Sequence, residues 1–291
     1  MNLIKIKYFI RSFFEYFSTK ECPNCGSASP AVIDRKYLVT RLMRCSRCKL
    51  QFRHPTDTPS FNTKFYQVDY EQNDGITTKL PNESELKAMI ETDFKNSSKS
   101  IDVFFEIFRS ISKNEKPKII DYGCSWGYMS YQFVKRGIET QSFEISKSRA
   151  AFGREHMGLD IKTAEKDLKP GSSIFFSSHV IEHVPSITSM IELSKKLLTP
   201  TGYFIAECPN GSNDFRLKNP LGFHRVWGMV HPNYLNDEFY KVIFANNPYF
   251  ITTTPYVISE LSNWDQNSQF VGRLDGNEIL IVVRPNIALH P

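Results

Sequence analysis

Four of the six cysteines fall as Cys22-Pro-Asn-Cys25-Gly26 and Cys45-Ser-Arg-Cys48, with 19 residues between the pairs. Two Cys-x-x-Cys pairs at that distance are the donor set of a tetrahedral zinc site. Each pair must turn back on itself so that both sulfurs reach one metal, and Gly26 relieves the backbone after the first turn. Four thiolates close the coordination sphere, so the expected Zn2+ is structural and not catalytic. The stretch Ala31–Met43 between the pairs predicts a short hairpin. Two disulfides are the competing reading and would need an oxidising compartment, to which nothing in the sequence directs the chain. Cys124 and Cys208 lie far along the chain and read as free thiols.

A second chemical pattern is the run Lys118-Ile-Ile-Asp121-Tyr-Gly123-Cys124-Ser125-Trp-Gly127-Tyr128. A short β-branched strand enters a glycine turn, and a helix, Tyr128–Arg136, follows and stops at Gly137. That layout lets backbone approach a nucleotide-bearing cofactor. Glu139–Ile145 predicts the next strand and carries Glu144, 23 residues beyond Asp121. A carboxylate there can accept hydrogen bonds from both hydroxyls of a ribose. Dinucleotide folds use Gly-x-Gly-x-x-Gly, whereas this turn is Asp-x-Gly-x-Ser-x-Gly. The acid before the first glycine would repel a pyrophosphate and suits an amino group, which favours S-adenosylmethionine over NAD.

Further on come Ser173-Ile-Phe-Phe-Ser-Ser178-His179-Val-Ile-Glu182-His183-Val184-Pro185 and Leu197-Leu-Thr-Pro200-Thr-Gly202-Tyr-Phe-Ile-Ala-Glu-Cys-Pro209-Asn210. With these the chain, over about residues 117–285, resembles the class I S-adenosylmethionine-dependent methyltransferases, and among them those with Glu-His-Val after the fourth strand. Ser125 and Thr201 depart from glycines of the pattern. The resemblance implies an α/β fold, a Rossmann-like seven-stranded methyltransferase sheet, here with a small N-terminal zinc-knuckle domain. It implies that Asp121, Gly123 and Gly127, with Cys124 and Ser125 of the same turn, line the methionine end of the cofactor. Glu144 would hold the ribose, Ile145 the adenine face, and Ala164 and Glu165 the adenine edge. Ser178 and His179 would lie beneath the sulfonium. Glu182 and His183 either act in catalysis or pin the following helix.

An acceptor hydroxyl needs a general base. The candidates are His183, with Glu182 beside it, and His231 in Trp227-Gly-Met-Val-His231-Pro-Asn-Tyr234. The stretch Asn210–Tyr234 reads as a long irregular loop where an acceptor could dock, with His224 reading as an ordinary packed residue. Asn246-Asn-Pro-Tyr249 is similar to a motif for exocyclic amines but lies too far along the chain and reads as a turn. Trp264–Asn277 reads as a polar surface loop between two closing strands, Tyr249–Ile258 and Glu278–Arg284.

The expected organisation is a basic aromatic helix (1–20), the zinc knuckle (21–54), a linker and helical segment (55–116) and the methyltransferase domain (117–291). Within the linker, Phe65–Tyr70 is a short aromatic run. Two apolar stripes, Leu86–Phe94 and Ile101–Phe108, flank a break at Asn96–Ser100. Residues 1–60 hold 11 Lys and Arg against 4 Asp and Glu, and the remainder 25 against 27. The basic excess therefore sits at the N-terminus, while the balance of the methyltransferase part argues against nucleic acid as partner. No apolar run is long enough to span a bilayer. Met1–Phe17 is interrupted by Lys5, Lys7 and Arg11 and lacks a cleavage site, so it is not read as a signal peptide. It is expected to pack on the protein, with association to a membrane surface as the alternative. The expected setting is the cytoplasm. The acceptor is expected to be a small molecule or glycan, such as a sugar or nucleotide-sugar hydroxyl or carbon in surface polysaccharide or secondary metabolism. Ribosomal RNA bound through the basic zinc module is the alternative substrate. A binding module with a degenerate cofactor fold is the non-enzymatic one, and the intact pair Asp121 and Glu144 argues against it.

Overall fold

The computed structural model describes residues 3–57, 79–95, 97–112 and 116–289. The Phe65–Tyr70 run lies outside them.

A mixed eight-stranded sheet forms the body. Its strands are β4 (Lys118–Tyr122), β5 (Glu139–Phe143), β6 (Ile161–Lys162), β7 (Ser172–Ser178), β8 (Leu198–Pro209), β10 (Tyr249–Thr253), β11 (Gln269–Val271) and β12 (Glu278–Val283), in the order β11-β10-β12-β8-β7-β4-β5-β6. From β6 to β8 all neighbours are parallel; β12 runs antiparallel between β8 and β10. The seven expected strands are present. The eighth, β11, pairs parallel to β10 at the edge and lies inside the stretch read as a polar loop. Trp264 at its approach is buried and packs on Phe250, with 5.9 Å between rings.

Successive βαβ crossovers run outward from β4 through β5 to β6, then return to β7 on the other side of β4. The carboxyl ends of β4 and β7 therefore diverge at a topological switch point, which opens a crevice. The central strands are buried on both faces and read accordingly as near-continuous apolar runs, such as Ile279–Val283.

Helices α2 (Glu83–Glu91) and α3 (Asp102–Ser112) match the two apolar stripes. An Asn82–Glu85 capping box starts α2. Helix α3 presses Phe104 and Phe108 onto Phe176 of β7, ring centroids 4.8 and 5.2 Å apart. Helices α4 (Tyr128–Lys135), α5 (Lys147–Met157) and α6 (Ile187–Leu197) are the crossovers after β4, β5 and β7.

The cysteines frame a second, four-stranded sheet. Its strands β1 (Pro30–Lys36), β2 (Thr40–Cys45) and β3 (Gln51–His54) are the expected hairpin plus one, and its fourth strand is β9 (Asn233–Tyr234). The stretch Asn210–Tyr234 is thus not an irregular loop. It folds as α7 (Asn213–Lys218), α8 (Pro220–Val226) and β9, and it carries the zinc module. Asp34 accepts from Trp227 Nε1 at 2.9 Å and pairs with His224 Nδ1 at 2.8 Å. Buried Arg53 donates to the carbonyls of Gly228 and Met229 at 3.1 and 3.0 Å. Met43, Leu50 and Phe52 join the same apolar cluster as Phe175, Phe204 and Phe239, so module and body share a core. Helix α9 (Asp237–Ile243) follows and is capped by Asn236.

Helix α1 (Leu3–Phe14) packs on the module through one side. Arg11 donates to Asp57 at 2.7 Å and Ser12 is buried. Its other side was expected to be covered as well, yet Phe9, Ile10, Phe13, Phe14 and Phe17 are exposed, spaced as one stripe. Among the described residues no helix is long and apolar enough to cross a membrane.

Candidate active site

The switch-point crevice is a cavity of about 530 Å³, within the range of small-molecule sites. The turn after β4 forms one wall. Gly123 and Gly127 both sit at φ +83°, a left-handed conformation that favours glycine. A Cβ on Gly123 would lie 2.3 Å from Val180 Cγ2, and one on Gly127 2.4 Å from Leu159 Cδ1. Ser125, where the pattern has glycine, also sits left-handed at φ +55°. It is held there from two sides: its N–H donates to Glu144 Oε2 at 2.9 Å, and Arg149 Nη1 donates to its Oγ at 2.8 Å.

Glu144 directly follows β5. Its other oxygen, Oε1, accepts from Ser146 N at 2.7 Å. Burial pushes its carboxyl up, and the two backbone donors act against that. Each oxygen keeps a second lone pair, so the carboxylate can still take two hydroxyls from a diol.

Among the expected cofactor residues, Gly123, Ser125, Glu144, Ile145, Glu165, Ser178 and His179 line this cavity. Asp121, Cys124, Gly127 and Ala164 do not. Asp121 is buried beneath the turn, where it accepts from Ser130 Oγ at 2.6 Å, and Ser130 in turn accepts from Ser142 Oγ at 2.8 Å. Burial raises its carboxyl to about 6. It braces the turn from below and does not face the crevice. Thr163 lines the cavity in place of Ala164.

Several lining residues carry no motif signature. Tyr122 stacks on Phe143 at 4.8 Å and donates to Glu165 Oε1, giving the cavity an aromatic floor beside the Glu144 wall. Tyr122 was legible only as the residue between Asp121 and Gly123. Met190 and Ser189 reach in from α6.

The opposite end is built on the loop after β7. His179 is left-handed at φ +53°, a conformation rare outside glycine and concentrated at functional sites. Burial alone would lower this imidazole; the carboxylates of Glu182, Glu278 and Glu207 outweigh it and push it up to about 9. Glu207, unnoticed in the sequence, accepts from Ser178 Oγ at 3.0 Å and from Tyr256 Oη.

His183 lines the cavity; Glu182 and His231 stand behind it. The His183 and His231 rings are 5.0 Å apart, and one ligand atom from each of Glu182, His183 and His231 can be taken so that all lie within 4.8 Å of one another. Burial pulls His183 down to about 4, against the attraction of Glu182. The backbone of this turn is pinned by β9: Asn233 N donates to Glu182 O at 3.1 Å and Asn233 Nδ2 to Val184 O at 2.9 Å.

The four cysteines also converge. Cys22 Sγ lies 3.6 Å from Cys48 Sγ and Cys25 Sγ 3.5 Å from Cys45 Sγ, too far for disulfides and near the roughly 3.8 Å expected across a tetrahedral zinc. Gly26 at φ +67° and Lys49 at +64° turn the chain back after each pair. Cys22, Cys25, Cys45 and Cys48 therefore fit a structural Zn2+.

No protein-family model matches the sequence, and no curated protein is similar to it. Among solved structures the chain is similar to the plantazolicin methyltransferase BpumL in complex with SAH, at 12% identity, covering 76% of this chain and 93% of BpumL with a TM-score of 0.50. TehB from Haemophilus influenzae matches at 15% identity over 66% of this chain and 65% of its own, TM-score 0.42. A SAM dependent methyltransferase from Archaeoglobus fulgidus matches at 14% identity over 67% and 98%, TM-score 0.43. At such identities the likeness concerns architecture, and by the BpumL comparison this chain has a methyltransferase fold with a four-cysteine module joined to it.

Proposed function

We propose that the protein is an S-adenosylmethionine-dependent methyltransferase acting on a small-molecule acceptor, a sugar or nucleotide-sugar hydroxyl or carbon being the class in view. The observation that carries this reading is Glu144, a buried carboxylate lining the cavity with each oxygen already held by a backbone N–H. Such preorganisation suits a ribose diol. Gly123 and Ser125 would then border the amino-acid end, and Ile145, Thr163 and Glu165 the base. The cofactor supplies an electrophilic methyl group when bound. Ser178, His179 and His183 lie where the acceptor would meet it, and Glu182, His183 and His231 are the proposed catalytic group.

The fate of the basic residues supports a small acceptor over RNA. Arg53 is buried, Lys36 donates to the Arg225 and Trp227 carbonyls, Arg11 pairs with Asp57, and Arg41 lies 3.8 Å over the Tyr16 ring. Four of the eleven N-terminal Lys and Arg residues thus have internal partners and are withdrawn from a phosphate-binding surface.

The test is calorimetric titration with S-adenosylhomocysteine. Glu144→Ala is expected to weaken binding by on the order of 2–4 kcal/mol through loss of two charge-assisted hydrogen bonds. An unchanged dissociation constant, or no binding by the native chain, refutes the reading.

The exposed aromatic stripe of α1 supports a peripheral seat at a lipid interface. Cosedimentation with phosphatidylserine vesicles, lost on Phe14→Ser with Phe17→Ser, checks it; native protein left in the supernatant refutes it.

A further inference from the structure

The packing around Glu182 leaves both oxygens of a buried carboxylate short of a hydrogen bond. The residue is 1% exposed, and neither carboxylate oxygen accepts a hydrogen bond. The imidazole nitrogens that face it are His179 Nδ1 at 3.5 Å and His183 Nε2 at 3.6 Å, both beyond a well-formed bond. The His179 imidazolium offsets part of the Glu182 charge, yet a buried carboxylate whose two oxygens both lack a hydrogen bond still carries a desolvation cost.

The two flanking rings are fixed in one sense. His183 Nδ1 lies 2.7 Å from Val230 O, and His231 Nδ1 lies 2.8 Å from Val226 O. A carbonyl only accepts, so each ring carries its proton on Nδ1. A neutral ring then presents the lone pair of Nε2. A backbone carbonyl holding one nitrogen so that the other can ligate is the usual outer shell of a metal-bound histidine. Two such rings and an unsatisfied carboxylate meet within 4.8 Å.

We infer that Glu182, His183 and His231 form a second metal site, distinct from the four cysteines, for a first-row divalent cation. Two imidazoles and one carboxylate suit Zn2+, Co2+, Mn2+ or Fe2+ and not Mg2+ or Ca2+, which prefer all-oxygen shells. Bonds of about 2.1 Å would draw the three atoms closer than they stand, by side-chain rotation. The cation neutralises Glu182 and uses both lone pairs at once. Three protein ligands leave a coordination position open. His183 also lines the cavity, so that position falls at the acceptor end. Its use there rests on the methyltransferase reading; the metal site itself does not.

The experiment uses the full chain with its cysteine site loaded with Zn2+. Co2+ is titrated in while visible absorption and bound metal are measured, with S-adenosylhomocysteine titrated in parallel. One further equivalent of Co2+ is expected, with the weak bands of a nitrogen–oxygen site and without thiolate charge transfer. Glu182→Gln and His231→Ala should each weaken that equivalent by at least the 10–100-fold typical of lost outer-shell partners, while keeping the first. A native protein that stays at one metal per chain overturns the site, whether or not the variants fold. So does variant binding equal to native. Retained S-adenosylhomocysteine binding with no second metal overturns the cation alone. A second metal with no S-adenosylhomocysteine binding overturns the methyltransferase reading alone.

Discussion

Single residues in the crevice do work that their motif positions only partly announced. Glu144 stands where its spacing from Asp121 placed it, because a residue closing β5 must meet the turn closing β4. Asp121 was expected in the same wall and lies instead under it, bonded to Ser130. The difference is one of side-chain direction at the end of a strand, which alternates residue by residue and is set by a partner nine positions on. Its titration follows from that burial. The folded pKa is raised from 3.8 to about 6, so the native state binds a proton more tightly than the unfolded chain. Stability contributed by the protonated acid is present below about pH 4 and is lost as pH rises toward 6. Asp121→Asn, which keeps an acceptor for Ser130, should abolish that decline. Melting temperatures of the two proteins should therefore converge at low pH and separate in favour of the variant by pH 6.5. Parallel curves over that window would place the carboxyl in a solvated or paired setting.

At the scale of elements, what could be read in advance was local and what could not be was long-range. The βαβ order, the two helical stripes before β4 and the hairpin between the cysteine pairs each show as periodicity within a dozen residues. Strands β9 and β11 have two and three residues and no alternation to detect. They exist because β3 and β10 present unpaired edges, and only the folded chain supplies those edges. The insert from Asn210 to Tyr234 was misread for the same reason: its aromatic and basic residues face the zinc sheet, a partner some 180 positions upstream. The glycine turn is the opposite case, since its constraint is intrinsic to the residue. Gly127→Ala puts a left-handed alanine into the Leu159 side chain and should cost about 2–4 kcal/mol. Denaturant midpoints would report it. Gly26→Ala, also left-handed but with open space around its Cβ, should lose only the backbone share. Equal losses would mean that packing of α5 and β6 against the turn contributes nothing.

Seen whole, the molecule places its zinc module as a brace behind the proposed catalytic group. Cys45 ends β2, β2 pairs with β3, β3 pairs with β9, and β9 pins Glu182 and Val184 through Asn233. The carbonyls that orient His183 and His231 belong to Val230 and Val226, in the segment that Arg53 and Asp34 hold from the module side. The cofactor wall, by contrast, rests on β4 and β5, neither of which pairs with a strand of the module's sheet. Loss of the cysteine site should therefore divide the two halves of the crevice. In Cys45→Ser, or after chelation, S-adenosylhomocysteine affinity should stay within about threefold, because Glu144 and its donors are untouched. Turnover should fall on the order of 100-fold, the penalty of an ångström-scale misplacement of reacting groups. Calorimetry should show a single, lowered unfolding transition, since Met43, Leu50 and Phe52 belong to the common core. Two separate transitions, with turnover retained after the first, would show instead that the module hangs beside the enzyme and positions nothing.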